Sequence, residues 1–365
     1  MHLFQLVNRI RKTLMHHITK NIGAACMVIP DPGEKIEIRK ILICRPNHRL
    51  GNQLLMTAIL QEVSATFPNC TIDLFVKGTL SPLIFAHYKN VHNIICLPKK
   101  PHQHILLYIQ GWMALRKTQY DLAINVVKGS SSGRLSTRWA CATYKFFGDE
   151  IEDIKTKYAD HEHVAKYPVY NLRNYLALLG FSNTIQTVPS LDIKLSASEI
   201  AQGKKILDGM VNFKKKTICL FTYATGAKCY TSEWWTQFYE QLKLTFAHYH
   251  FIEVLPVENI SQLSFRVPSF YSKDVREIAS VIANTELFIG ADSGIMHLSS
   301  AAHTPTVGLF CVTNPNIFQP YGNHSVGIDT NRGQPADWMK TIKAVLQQAA
   351  AGKEHHAMQE ALAHI

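Results

Sequence analysis

Apolar residues in this chain gather in short unbroken runs, each followed by a polar turn and then by apolar positions at helical spacing. Runs of four to eight apolar residues bounded by turn residues predict strands buried on both faces. Recurrence at i, i+3 and i+4 predicts helices laid against them. In the first half the strand candidates are Lys40–Cys44, Thr71–Val76, Asn93–Leu97 and Leu122–Val127. A helix follows the first of them from Leu54 to near Phe67, and another covers Val169–Leu179, with Gly180 as its C-cap. In the second half, strands are predicted at Thr217–Thr222, His250–Leu255, Leu287–Ile289 and Val307–Phe310. Helices are predicted at Ala197–Met210, Ser232–Thr245, Lys273–Ile282, Ile295–Ala302 and Pro335–Ala351. Alternating strands and helices on either side of a linker near residues 181–192 predict two doubly wound α/β domains. The divisions are 1–37, an N-terminal segment and linker; 38–185, a first Rossmann-like domain; 186–335, a second; and 336–365, a terminal helix and loosely ordered tail.

A length of 365 residues suits two domains, and 47% apolar with 18% charged residues describes a folded globular chain. No apolar run reaches the roughly 18 residues needed to span a bilayer. The eight cysteines form no Cys-x-x-Cys pair; Cys44, Cys96 and Cys219 stand in strand-like runs and read as buried thiols of a reducing compartment. A net charge of +11 suggests an anionic partner: a nucleotide, a phosphorylated glycan, a membrane surface or nucleic acid. The last is the weakest, because no zinc finger, basic recognition helix or RNA-binding aromatic signature is present. At the N-terminus, Leu3, Leu6, Val7, Ile10, Leu14 and Ile18 recur at helical spacing opposite basic residues. Two readings stay open there: a basic amphipathic helix on an anionic membrane, or a helix packed on protein.

The chemistry concentrates where predicted strands end. After Leu287–Ile289 comes Gly290-Ala-Asp-Ser-Gly294 and then a helix, so first-turn N–H groups face outward at a positive dipole end. That arrangement takes a phosphate or diphosphate. Asp292 and Ser293 are candidate helix caps, and Gly294 allows close approach of a ligand. A second polar turn, Tyr223–Cys229, follows another strand and carries Lys228. In the first half, Arg45–Asn52 forms the corresponding turn. The stretch Lys128-Gly-Ser-Ser-Ser-Gly-Arg134, with Arg138 behind it, reads as a flexible basic loop that either contacts an anionic acceptor or is merely solvated.

The pattern strand–Arg45–Leu50-Gly-Asn52–Leu54-Leu55–Thr57 resembles the start of glycosyltransferase family 9. So do Thr225-Gly-Ala-Lys228, Gly290-Ala-Asp-Ser-Gly294, His297 and Pro305-Thr-Val-Gly-Leu-Phe310 in their order and spacing. The resemblance implies a GT-B fold, two Rossmann-like domains facing across a cleft, and inverting transfer of a heptose or related sugar from a nucleoside diphosphate, ADP-heptose in this family, to a lipopolysaccharide core or similar anionic glycolipid. It implies no catalytic metal and no cofactor, and work in the cytoplasm at the inner membrane face. By the same resemblance Thr225, Gly226 and Lys228 hold the donor diphosphate; Asp292, Ser293 and Gly294 present the helix end, with His297 one turn on; and Glu258 faces the nucleoside. Lys228 and Asp292 are then catalytic candidates, since charge that develops on the leaving group is stabilised there. Gly51, Asn52, Lys128, Arg134 and Arg138 are candidates for the acceptor side. One position departs from the family: Asn52 stands where the family carries an Asp taken to be the general base. An amide cannot accept a proton at neutral pH. Another group such as His48 serves as base, or proton loss is late and no strong base is needed, or the protein binds a sugar nucleotide without transferring it. An epimerase of the same fold is a further alternative.

Overall fold

The structure is a computed structural model that describes residues 13, 17, 19–22, 36–150, 153–182, 186–211 and 215–363, with side chains as far as residue 352. The amphipathic N-terminal segment and most of the linker after it lie outside the described residues. The chain divides into two compact units, Met1–Pro189 and Ser190–Ile365.

The first unit holds five parallel strands, β1 (Lys40–Cys44), β2 (Thr71–Lys77), β3 (Val91–Leu97), β4 (Gln119–Asn125) and β5 (Cys141–Phe146), in the order β3-β2-β1-β4-β5. The second holds six, β6 (Thr217–Phe221), β7 (His250–Val254), β8 (Ser269–Phe270), β9 (Leu287–Ala291), β10 (Thr306–Phe310) and β11 (Val326–Asp329), in the order β11-β10-β9-β6-β7-β8. All of its neighbouring strands are also parallel. Both are doubly wound α/β domains. In each, the order reverses beside the first strand, between β1 and β4 and between β6 and β9. Connections leave such a point toward opposite faces of the sheet, opening a crevice at the strands' carboxyl ends.

The unbroken apolar runs are central strands covered on both sides: Ile41, Leu42, Ile43 and Cys44 are fully buried, as are Leu287, Phe288 and Ile289. The helix Leu50–Thr66 buries ten of its residues against the sheet and its neighbours. Among them Glu62 receives Arg173 of the helix Lys166–Leu178 in a two-pronged ion pair, Nε–Oε1 2.6 Å and Nη2–Oε2 2.7 Å. In the second unit, Ser196 and Glu199 form a reciprocal capping box on the helix Ala197–Met210. Arg276 binds the same glutamate and holds its carboxyl down to about 2.

Several elements escape the sequence pattern. β8 is only two residues long, and β5 and β11 carry polar residues that break the apolar run. The helix Ile105–Lys117 is apolar around most of its circumference and has only Leu115 buried. The expected loop at 128–134 is a short turn followed by the helix Ser131–Trp139. Cys96 is exposed, not buried, because β3 is an edge strand. The terminal helix runs Pro335–Ala363, past the Gly352 at which the sequence suggests a loosened tail.

Candidate functional site

In the second unit, the loops after β6, β9 and β10 converge at the switch point. Gly226–Lys228 is a single 3₁₀ turn, entered with Gly226 at φ +67°, a left-handed conformation that favours glycine. Thr225, Gly226 and Ala227 are exposed, and Lys228 is half-buried behind them. Its Nζ lies 3.2 Å from Asp292 Oδ2, and Thr313 Oγ1 donates to the same oxygen at 2.6 Å. Asp292 therefore does not cap the helix, as the sequence suggests it could. Its carboxylate is committed to placing Lys228 at the mouth of the crevice. The cap is Ser293, whose hydroxyl accepts from Met296 N. Ser293, Gly294 and Ile295 are half-exposed, and everything after them in the helix Gly294–Ala301 is buried. A cation and a helix N-terminus thus stand side by side, an arrangement suited to a diphosphate. His297 is buried on the same helix, 5% exposed.

Glu258 stands exposed in the turn after β7. The carboxylate that organises that turn is Glu253, within β7 and fully buried. It accepts from Thr222 Oγ1 and from Ser261 Oγ, each at 2.5 Å. Thr222 Oγ1 in turn accepts from Gln262 N. Glu253 and Thr222 escape the sequence reading, whereas Thr313 closes the family-like stretch that begins at Pro305: a buried Glu inside an apolar strand looks like an irregularity of the pattern until its hydroxyl partners are seen. Burial raises the Glu253 pKa above the ordinary glutamate value, outweighing the two hydroxyl bonds. A raised folded-state value stabilises the fold fully below the ordinary value and loses that contribution as pH rises through the folded one. Melting temperatures from pH 4 to 8 should therefore fall less steeply in Glu253→Gln than in the native chain. Parallel profiles would remove Glu253 as the titrating group.

The first unit has its own switch-point pocket, of about 300 Å³, lined among others by Arg45, Asn47, Asn52, Asn125, Ser130 and Ser132. Arg45 is 7% exposed. It donates through Nε to Asn52 O at 2.8 Å and through Nη2 to Asn52 Oδ1 at 2.9 Å, and among the described residues no carboxylate pairs with it. Burial lowers its pKa to about 10, so it stays charged at neutral pH. A buried guanidinium satisfied by amide oxygens alone leaves the pocket electropositive. Gln53, fully buried, ties the loop down by donating to Asn47 O and Lys77 O at 3.0 Å each. His48 is held below its ordinary pKa by burial and by Lys99, Lys77 and Arg49, so its imidazole is neutral at pH 7. It packs on Gly78 at the end of β2 and is not part of the pocket lining that contains Asn52.

The expected basic loop needs correction. Ser130 caps the helix Ser131–Trp139 by accepting from Gly133 N, and a Cβ on Gly133 would meet Asn125 Oδ1 at 2.2 Å. That glycine serves close packing, not flexibility. Arg134 is 2% exposed and forms a forked pair with Asp149 at 2.7 and 2.8 Å. It also donates to the carbonyls of Thr19, Ile22 and Phe147. With its donors used internally, Arg134 is a structural cation and does not project toward an acceptor. Lys128 and Arg138 remain solvent-exposed.

Two doubly wound domains, each with an anion-compatible crevice at its switch point, define an α/β protein of the doubly wound class. The profile of Glycosyltransferase family 9 (heptosyltransferase) matches residues 273–344, the segment that supplies Asp292–Gly294 and Thr313. The lipopolysaccharide core heptosyltransferase OpsX of Haemophilus influenzae is 19% identical over 288 residues, covering 75% of this chain and 80% of that protein. Among solved structures, the family 9 glycosyltransferase of Veillonella parvula superposes with a TM-score of 0.67 at 15% identity, over 86% of this chain and 99% of that one. Escherichia coli WaaC with ADP superposes with 0.61 at 15% identity, over 84% and 99%. The chain is thus similar to glycosyltransferase family 9 over residues 273–344 and, at low identity over most of its length, to a heptosyltransferase. Its fold is that of the family's solved members.

Proposed function

We propose that this protein is an inverting heptosyltransferase that moves a heptose from ADP-heptose to an anionic lipopolysaccharide core acceptor at the cytoplasmic face of the inner membrane. The observation that carries the reading is Lys228, aimed by Asp292 and Thr313 beside the helix N-terminus at Ser293. The matched relatives support the choice of sugar: one is described as a lipopolysaccharide core heptosyltransferase, and WaaC has been solved with ADP. In the proposed reaction the glycosidic bond to the diphosphate breaks, the diphosphate leaves with added negative charge, and an acceptor hydroxyl attacks from the opposite face. Lys228 and the amides of Gly294 and Ile295 stabilise the departing charge more than they stabilise the bound donor, which lowers the barrier. Lys128 and Arg138 serve the acceptor's anionic groups from outside.

Asn52 orients the acceptor. Its Oδ1 is engaged by Arg45, so its amide N–H groups are the donors left for an acceptor oxygen. His48 is chemically fit to take a proton but stands off the pocket, so the acceptor hydroxyl's proton is assigned to pass to solvent water at a late stage, after most of the bond to the leaving group has broken. Purified protein given ADP-heptose and a heptose-deficient core should release ADP and yield an acceptor heavier by one heptose. His48→Ala should then change kcat by less than about threefold. A general base contributes 10²–10⁴-fold, so a loss of that size would assign the proton to His48. ADP-heptose bound but never transferred would favour the silent binder.

A further inference from the structure

The geometry points to a membrane-docking surface on the first unit: the outer face of the helix Ile105–Lys117, together with Trp139, lies flat on an anionic lipid surface. This goes beyond the assignment of donor and acceptor and does not depend on it. The helix is anchored inward by Tyr108, Trp112 and Leu115, which pack on the core around Phe75 and Leu97. Its other large side chains are left in water: Leu106 is 72% exposed, Ile105 61%, Leu107 58%, and Ile109 and Met113 50% each. Ile105, Ile109 and Met113 follow one another at i, i+4 and i+8, with Leu106 beside them, and so form one stripe. The stripe extends to a neighbouring element, because the Arg116 guanidinium lies 5.4 Å over the Trp139 ring, which is itself 45% exposed. Trp139 Nε1 donates to Trp112 O, which fixes the ring beside the helix. A contiguous patch of this kind is unusual on a surface that meets only water.

Charge selects the occupant. Residues 74–148 carry ten lysines and arginines against a single acid, Asp121, so most of the chain's +11 arises in this stretch. Exposed basic residues flank the apolar stripe at both ends, Lys99 and Lys100 before it and Arg116, Lys117 and Arg138 after it. A protein partner matched to an apolar stripe does not require that acid-free rim, whereas an anionic bilayer does. Leu, Ile, Met and Trp side chains enter the headgroup boundary while the flanking cations reach the phosphates. Thirteen residues make a helix of about 20 Å, long enough to lie in the interface and too short to cross it. No helix among the described residues is long and apolar enough to cross a membrane.

Co-sedimentation of the full chain with phosphatidylcholine vesicles, with and without about a third phosphatidylglycerol, tests this. Binding is expected only to the anionic vesicles and should weaken as salt rises, each basic side chain at the surface contributing about fivefold. The triple variant Leu106→Ser, Ile109→Ser, Met113→Ser should lose at least tenfold in partitioning. Its melting temperature should stay within a few degrees, since those side chains face solvent. Charge reversal at Lys99 and Lys117 should weaken binding without altering the fold. Equal binding by the triple variant would overturn the assignment and place any membrane contact elsewhere in the chain. So would a native dimer, seen by sedimentation velocity, that the triple variant abolishes, since a second copy would then cover the stripe.

Discussion

Replacing Lys228 with alanine is expected to weaken binding of ADP and ADP-heptose by about 10- to 100-fold, the range for loss of a charged hydrogen bond of about 1.5–3 kcal/mol. In a thermal-shift measurement, a ligand at a hundred times its Kd stabilises the native chain by about 2.7 kcal/mol. In the variant the same concentration should stabilise by only about 0.4–1.4 kcal/mol. The loss in kcat should exceed the loss in affinity, because charge on the departing diphosphate is greatest in the transition state. Removing the ammonium also leaves Asp292 with Thr313 as its hydrogen-bond partner. Lys228→Gln guards against that complication: it keeps an uncharged amide donor on a side chain one bond shorter. If Lys228→Gln binds ADP like the native chain, the diphosphate does not lie against Lys228 and the donor-site assignment fails. A native chain stabilised by UDP or GDP species and not by ADP species would keep the site and change the sugar nucleotide.

Arg134→Ala is expected to destabilise the first unit by about 3 kcal/mol and lower its melting temperature by roughly 6–12 °C. The figure sits at the low end for a broken buried ion pair because Asp149 is 40% exposed and regains water. The remaining cost comes from the carbonyls of Thr19 and Phe147, which lose a charged donor in a site that water does not reach. Arg138→Ala should leave stability within about 0.5 kcal/mol, as exposed substitutions do. A comparison of the two variants by denaturant unfolding separates the structural cation from the surface one. If Arg134→Ala were as stable as the native chain while its acceptor KM rose, Arg134 would return to the acceptor side.

Much of the architecture is legible in the sequence because parallel strands buried on both faces must be apolar throughout. Ile41–Cys44 and Leu287–Ile289 announce themselves without any partner in view. Helices with strong local start signals are equally legible. Ala197–Met210 begins after Ser196 with Glu199 three residues on, and Ser232–Thr245 begins after Thr231, whose hydroxyl accepts from Trp234 N. Position along the chain also places Lys228 and Asp292 at strand ends, where a doubly wound sheet puts its ligands. Those features are local, or follow from a period of two or 3.6 residues.

What the tertiary structure alone decides is which polar groups meet. Asp292 and Lys228 are 64 positions apart, and only the adjacency of β6 and β9 turns a suspected helix cap into the partner of a cation. Arg134 reads as a mobile surface charge in a Gly-Ser segment, yet Asp149 and the carbonyls of Thr19, Ile22, Lys128 and Phe147 surround it in the folded chain. Arg45 opens the loop after β1 and Asn52 lies in the first turn of the helix that follows, but only burial shows that the guanidinium has no carboxylate among the described residues and holds the amide in place of the missing acid. The exposed stripe on Ile105–Lys117 is the converse case. Its side chains look like core residues in sequence, because hydrophobicity records what a side chain avoids and not what covers it. Apolar runs therefore determined the central strands of the two sheets, while side-chain pairing across distant strands, invisible to any local pattern, determined the site.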